Sequence, residues 1–128
     1  MIPRLAGAAD LDAARACVVA AFSPFIALIG RKPAPMEADL APMIARSEVW
    51  LVGEGAGVLR CFTDGGAMQL DLLAVRPETQ GQGLGRALVA HCEALALAAR
   101  LPAVELYTNA AMLGAQRLYL GLGYAEIA

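Results

Sequence analysis

Two segments in the first half of the chain have apolar residues that recur every three to four positions. They cover Leu11 to Phe22, with Asp10 as a candidate N-cap, and Met36 to Ala45. Pro24 interrupts the first pattern, because proline lacks the amide that a helix interior requires. The pattern therefore predicts two helices separated by an irregular segment from Ser23 to Pro35.

Shorter apolar runs, rich in β-branched and aromatic residues, predict strands around these helices. Glycine-containing turns at Glu54-Gly55 and Asp64-Gly65-Gly66 indicate that three consecutive strands are antiparallel. The predicted strands are Ile2–Leu5, Val49–Val52, Gly57–Phe62, Met68–Val75 and Ala103–Thr108.

Two more helices are predicted in the second half of the chain. One begins near Leu84 and ends at Leu101-Pro102, and the other covers Met112 to Gly121 and precedes a last short strand. The order β-α-α-β-β-β-α-β-α-β predicts an α/β (α+β) fold with a mixed, mostly antiparallel sheet of about six strands and helices on both faces. No linker or repeat is visible, so we expect residues 1–128 to form one domain.

Composition and charge exclude two classes of partner. The net charge is −2, and basic residues do not cluster beyond Arg31-Lys32, so we expect no nucleic-acid partner. The apolar stretch from Ala16 to Gly30 is shorter than the roughly 20 residues of a membrane span, and Pro24 lies in it. We therefore expect no membrane segment.

The cysteines indicate the compartment. Cys17, Cys61 and Cys92 are odd in number and far apart, which fits neither a disulfide framework nor a metal site. They predict a reduced, cytoplasmic protein without a metal.

Residues 75–88 carry the most informative pattern, because they join a strand to a helix through a glycine-rich turn. Glycines at 81, 83 and 85 have no Cβ, so backbone amides can approach an anion at the positive end of the helix dipole. No Gly-Lys-Ser/Thr closes a P-loop, and Leu88 stands where a dinucleotide-binding turn needs glycine or alanine. The turn therefore predicts a cradle for a pyrophosphate.

The pattern Gln80-x-x-Gly83-x-Gly85, preceded by Val75-x-Pro77, closely resembles the acyl-CoA signature of the GNAT superfamily of N-acetyltransferases. A second pattern, Ala115-x-x-Leu118-Tyr119-x-x-x-Gly123-Tyr124, is similar to the family's last helix and the strand after it. The predicted order of elements also agrees, so the resemblance covers nearly the whole chain.

The resemblance implies that acetyl-CoA binds as co-substrate, with its pyrophosphate on the turn and its pantetheine beside the preceding strand like an extra strand. Met112 stands where the family often has asparagine, so Asn109 is the nearest candidate to bind the pantetheine. The residues expected to bind the cofactor are Leu73, Ala74, Val75, Gln80, Gly81, Gln82, Gly83, Leu84, Gly85, Arg86 and Asn109. Arg86 is alternatively a solvated helix residue.

Acetyl transfer from a thioester requires a neutral amine held in line, stabilisation of the oxyanion and a proton for the departing thiolate. Splayed strands would leave the amide of Leu73 or Val75 free for the oxyanion, and Tyr119 matches the family's tyrosine as general acid, the alternative being a core tyrosine. Asp71, which has the strand parity of residues 73 and 75, and Glu105 are candidate bases, and a mechanism with no dedicated base is the third option. The only histidine, His91, is interpreted as structural.

The resemblance implies direct transfer, in a ternary complex, to a primary amine of a small molecule or peptide. The alternative is a non-catalytic acyl-CoA-binding or sensor module on the same fold. The chain ends at Ala128, four residues after Tyr124, where the family usually adds a seventh strand, so either the protein lacks that strand or a partner supplies it. The apolar segment from Leu122 to Ile127 predicts a homodimer through this C-terminal edge.

Overall fold

The computed structural model describes residues 2–106, which form a five-stranded sheet with helices on both faces. Adjacent strands are antiparallel, except that the fourth and fifth are parallel. In sheet order the strands are Arg4–Leu5 (β1), Val49–Val52 (β2), Gly57–Asp64 (β3), Ala67–Val75 (β4) and Val104–Leu106 (β5). The predicted mixed, mostly antiparallel sheet is confirmed, while the helix and last strand predicted after residue 111 lie outside the described residues.

The described helices are Leu11–Phe22 (α1), Ile26–Ile29 (α2), Leu40–Ala45 (α3) and Leu84–Ala98 (α4). The first has the predicted bounds, but Asp10 does not cap it with its side chain. The Asp10 carboxylate instead accepts hydrogen bonds from the Gly7 amide at 2.8 Å and from the Arg4 guanidinium at 2.9 Å and 3.0 Å. The side chain therefore ties the helix entrance to β1.

The second predicted helix begins later than the sequence pattern indicated. Residues Ala34–Glu37 form a 3₁₀ turn, Ala38 and Asp39 are extended, and α3 starts only at Leu40. A helix from Met36 would place Pro42 in its interior, where the ring clashes with a carbonyl, whereas the observed start keeps Pro42 in the first turn. Proline thus sets the start of α3.

Pro24 interrupts the first α-helix as the sequence predicted, but it does not begin an irregular segment. It lies in a 3₁₀ turn, Ser23–Phe25, that leads into α2, so Ala8–Ile29 is one helical run of 22 residues. By length and composition alone this run could cross a membrane, which is weak evidence because the core helix of a globular domain passes the same test. The α1 side chains buried in the core beside the sheet are those of Ala14, Cys17, Val18, Ala21 and Phe22.

The sheet separates two apolar cores. Helices α1 and α3 pack on one face, and α4 packs alone on the other among the described elements. Gly57 permits the close approach of α4, because a Cβ there would lie 2.8 Å from Val52 Cγ2 and 2.9 Å from Leu88 Cδ1. The missing side chain therefore helps to fix the helix that follows the glycine-rich turn.

A β-bulge interrupts β4. Arg60 pairs with Leu72, and the next residue of β3, Cys61, pairs with Leu70. Asp71 is therefore an extra residue that has no partner in the β3–β4 ladder.

The bulge changes which face of the sheet β4 presents to each core. Met68 and Leu70 belong to the α4 core, whereas Leu72 and Ala74 belong to the core of α1 and α3. Regular alternation along the sequence assigned residues 68, 70, 72 and 74 to one face of the sheet. It also gave Asp71 the same parity as Leu73 and Val75. That parity is wrong, because one inserted residue reverses the alternation.

Candidate functional site

The glycine-rich turn begins where β4 ends. A 3₁₀ turn, Pro77–Thr79, and an extended Gln80 lead into Gly81 and Gly83, whose φ angles are +86° and +80°. Both angles lie in the left-handed region that favours glycine. A Cβ added at either glycine would meet nothing within 4 Å, so the space over the turn is open in the described part of the chain.

The amides of the turn and of the first turn of α4 are available to a ligand. Gly83 precedes α4, and the Ala87 amide donates to its carbonyl at 3.0 Å. Within residues 2–106, the backbone amides of residues 81–86 donate no hydrogen bond. Since they lie at the positive end of the helix dipole, they can bind an anion such as a phosphate group.

Arg76 anchors the start of the turn. Its amide donates to the Ala56 carbonyl at 2.9 Å, and its Nε donates to the Gly55 carbonyl at 3.0 Å. The Thr79 hydroxyl closes the 3₁₀ turn by donating to the Arg76 carbonyl at 2.9 Å. The sequence analysis missed Arg76, because its partners are carbonyls about 20 residues away that no spacing pattern indicates.

The same amide of Arg76 sets the phase of the β3–β4 ladder. In an antiparallel pair every second residue directs its N–H and C=O toward the partner strand. Counting back from Arg76, Ala74 and Leu72 face β3. The backbone groups of Leu73 and Val75 therefore point toward the opposite side, where β5 lies.

Among the described residues, β5 pairs with β4 only at positions 68–70. Residues 2–106 therefore supply no strand partner for the backbone groups of Leu73 and Val75, although the Val75 carbonyl accepts a long hydrogen bond of 3.4 Å from Gln80 Nε2. This edge leads directly into the glycine-rich turn. An extended ligand could pair with the edge and place its anionic end on the amides of the turn.

The two candidate bases differ in the charge of their partners. Asp71 Oδ2 accepts a 2.6 Å hydrogen bond from Arg60, which also binds Glu48 at 2.8 Å. Glu105 Oε1 accepts a 2.8 Å hydrogen bond from the neutral amide of Gln69, its register partner on β4. The negative charge of Asp71 is therefore compensated, whereas no described cation pairs with Glu105.

His91 lies on α4 and packs against Trp50 of β2, with the ring centroids 4.3 Å apart. Its Nε2 atom is buried and has no hydrogen-bond partner within residues 2–106. Burial lowers the pKa of His91 below its ordinary value, because the charged form would lose hydration without compensation. The side chain therefore has the structural position that the sequence predicted.

This burial predicts a pH-dependent stability. The unfolded chain protonates His91 below a pH of about 6.5, whereas the folded protein resists protonation, so the free energy of unfolding should fall as pH falls through this range. His91→Phe keeps the ring contact with Trp50 and should remove the dependence. Urea unfolding of both proteins between about pH 7.5 and pH 5 measures this free energy. The range lies above the ordinary pKa of carboxylates, which is about 4. If the free energy of unfolding changes equally with pH in the two proteins, His91 is not the group that causes the dependence.

The positions of the remaining candidate residues can be stated briefly. Arg86 is exposed on the first turn of α4 and forms no ion pair with a described residue. All three cysteines are buried and free. Within residues 2–106, no group of three or more His, Cys, Asp or Glu side chains could hold a metal ion. Asn109 and Tyr119 lie outside the described residues.

Comparison with known proteins identifies the domain. The family model described as an acetyltransferase (GNAT) domain matches residues 45–126, more than half of the chain. A search of curated proteins finds no match.

Solved structures share the fold at low sequence identity. A tetramutant of the BH1408 protein from Bacillus halodurans superposes with a TM-score of 0.82 and 17% identity, covering 100% of this chain and 96% of that one. The PaiA N-acetyltransferase from Thermoplasma acidophilum, in complex with coenzyme A, gives 0.76 and 16%, with coverages of 93% and 86%. The ribosomal-protein-S18-alanine N-acetyltransferase from Escherichia coli gives 0.73 and 22%, with coverages of 98% and 78%.

Proposed function

The chain belongs to the GNAT acetyltransferase family, and we propose that it transfers an acetyl group from acetyl-CoA to a primary amine by direct transfer in a ternary complex. One observation carries the proposal: the backbone edge of Leu73 and Val75 is continuous with the amides of residues 81–86. A strand-like pantetheine and a pyrophosphate need these two surfaces in this order. The coenzyme A bound to the similarly folded PaiA N-acetyltransferase supports the choice of cofactor.

In this proposal the turn from Gln80 to Arg86 holds the pyrophosphate, and Leu73 to Val75 pair with the pantetheine. Asn109 contributes a further hydrogen bond to the pantetheine. No metal takes part, because backbone amides and the helix dipole supply the positive potential that the phosphates require.

The reaction then needs three further groups. The amide of Leu73 or Val75 donates to the thioester oxygen as negative charge develops there. The amine nitrogen forms the new C–N bond, the C–S bond breaks, and Tyr119 gives its proton to the departing thiolate. Glu105 is the better candidate than Asp71 to take the amine proton through a water molecule, because the charge of Asp71 is already paired with Arg60. A neutral amine without a dedicated base is the remaining option.

The acceptor is a primary amine of a small molecule or of a peptide. The fold alone does not choose between them. Among proteins of similar fold, one acts on the alanine of ribosomal protein S18, so a peptide with a free N-terminal alanine belongs in the test set.

Two measurements test the proposal. Calorimetry should detect binding of coenzyme A, and a thiol-trapping assay should detect release of free CoA that depends on one amine from a set of polyamines, amino acids, aminoglycosides and peptides. Binding without release for any amine would support the alternative, an acyl-CoA-binding or sensor module. Absence of CoA binding would contradict both.

We further propose a cytoplasmic protein, on the evidence of its three free cysteines. The apolar segment from Leu122 to Ile127 lies outside the described residues, and its composition supports the proposed homodimer. Light scattering should give twice the chain mass, and Ala125→Pro should lower the apparent mass while leaving CoA binding intact. A monomeric wild-type protein at working concentration would contradict the dimer.

A further inference from the structure

Arg60 is the centre of a charged group, the Arg60 cluster, that also contains Glu48 and Asp71. Its side chain is only 11% exposed, and it donates to Asp71 at 2.6 Å and to Glu48 at 2.8 Å. The guanidinium lies 4.2 Å from the centroid of the Phe62 ring. These contacts hold a planar, multiply bonded cation in one orientation.

The pKa values of Arg60 and Glu48 follow from these contacts. Burial alone would lower the pKa of Arg60, but the hydrogen bonds and charges of Asp71 and Glu48 raise it above its ordinary value. Burial raises the pKa of Glu48, but the hydrogen bonds and charges of Arg60 and, to a smaller extent, of Arg46 together outweigh it and lower that pKa. Because Arg60 is the one described cation that both carboxylates share, its removal leaves Asp71 without a described counterion and Glu48 with only the longer contact to Arg46.

The cluster coincides with the bulge of β4. A regular ladder continued from the Arg60–Leu72 pair would place Asp71 opposite Cys61, whose side chain is buried in the α4 core. A carboxylate there would be buried without a partner, at a high cost in free energy. The bulge instead brings the Asp71 carboxylate to Arg60, the residue of β3 beside the irregularity.

The bulge also sets the direction of the backbone groups of Leu73 and Val75. A regular ladder continued from the Cys61–Leu70 pair would place Leu73 opposite Val58 and turn these groups toward β3, whereas the bulge directs them away from β3. From this juxtaposition we propose that Arg60 is a positioning residue: it holds the β4 bulge and thereby keeps the backbone edge of Leu73 and Val75 directed toward the pantetheine. The effect on the cofactor rests on the proposed function, whereas the effect on the bulge does not.

The test compares Arg60→Met with Arg46→Met. Arg46 contacts the same Glu48 at 3.3 Å but forms no ion pair with Asp71, and it is more exposed than Arg60, so Arg46→Met is a matched loss of one cation. Ile44→Val, a small deletion in the α3 core, controls for general loss of stability. Arg60→Lys keeps the charge but cannot bridge two carboxylates with a rigid fork.

Amide hydrogen exchange measures the local stability of the strand pairing beside the bulge. In Arg60→Met the amides of Leu72 and Ala74, which face β3, should exchange at least about ten-fold faster relative to amides in the middle of α4, and neither control should show this local change. In the same protein the dissociation constant for coenzyme A, from calorimetry, should rise about ten-fold or more, with Arg60→Lys intermediate. If Arg60→Met does not fold, Asp71→Asn, which keeps the side-chain shape and removes the charge, should show the same local exchange.

The outcomes separate the two proposals. If exchange at Leu72 and Ala74 in Arg60→Met and Asp71→Asn matches that in Ile44→Val, Arg60 does not hold the bulge and the inference fails. If exchange increases locally but CoA affinity is unchanged, the link from bulge to cofactor edge fails. If the wild-type protein does not bind coenzyme A, the proposed function fails, and the exchange data still decide whether Arg60 holds the bulge.

Discussion

Gly83→Glu is expected to abolish coenzyme A binding while the domain remains folded. Gly83 has a φ of +80° and lies directly before α4, among the amides assigned to the pyrophosphate. Its Cβ would meet nothing within 4 Å, so a side chain there enters open space, which in the complex the phosphates would occupy. A carboxylate beside a pyrophosphate costs several kcal/mol, so the dissociation constant should rise by more than about a hundred-fold in calorimetry.

A matched control is available at the other end of β4. Gly65 is exposed, has a φ of +61°, and also has nothing within 4 Å of an added Cβ. Gly65→Glu therefore introduces the same charge and a similar backbone strain of about 1–3 kcal/mol, far from the turn. We expect the two variants to unfold at similar denaturant concentrations and only Gly83→Glu to lose CoA binding. Unchanged affinity in a folded Gly83→Glu protein would remove the glycine-rich turn from the cofactor site.

The helices and strands were predictable where one face of an element is buried and its ends carry a local signal. Helix α1 has the predicted bounds because Pro24, in the 3₁₀ turn Ser23–Phe25, interrupts the α-helical pattern directly after Phe22. Helix α3 was predicted too long, because apolar periodicity continues back through Met36 while the position of Pro42 forbids the helix there. The steric restriction at Pro42 therefore outweighs the apolar periodicity of the whole segment.

The bulge at Asp71 shows why strand parity could not be predicted from one sequence. Buried residues at 68, 70, 72 and 74 alternate perfectly, yet they belong to two different cores. The choice between a regular strand and a bulge depends on where a charged side chain finds its counterion. Here the counterion is Arg60, which lies 11 residues earlier in the chain and on another strand.

The candidate site likewise contains groups that the sequence predicts and groups that it does not. The glycine-rich turn could be predicted because left-handed backbone and open space over an anion site both require glycine at fixed local spacing. Arg76 and Arg60 could not, because Arg76 acts through carbonyls of the turn between β2 and β3 and Arg60 acts through a carboxylate on β4, and only the folded sheet brings these groups close. Sequence analysis therefore predicted groups proposed to contact the cofactor and missed those that hold the turn and the strand in place.

Tyr119→Phe is expected to lower kcat by about 10²–10³-fold and to change the KM for acetyl-CoA little, because proton donation to the thiolate occurs in the transition state and not on binding. Tyr119 lies outside the described residues, and its assignment rests on the pattern Ala115-x-x-Leu118-Tyr119. Tyr124→Phe is the matched control, since it removes the same hydroxyl five residues later at a position where the resemblance allows either aromatic residue. Initial rates of amine-dependent thiol release, with near-ultraviolet circular dichroism to verify folding, compare the three proteins. Wild-type turnover in Tyr119→Phe would leave this tyrosine a packing role only, and an equal loss in Tyr124→Phe would trace the effect to the packing of the C-terminal segment instead of to a proton donor.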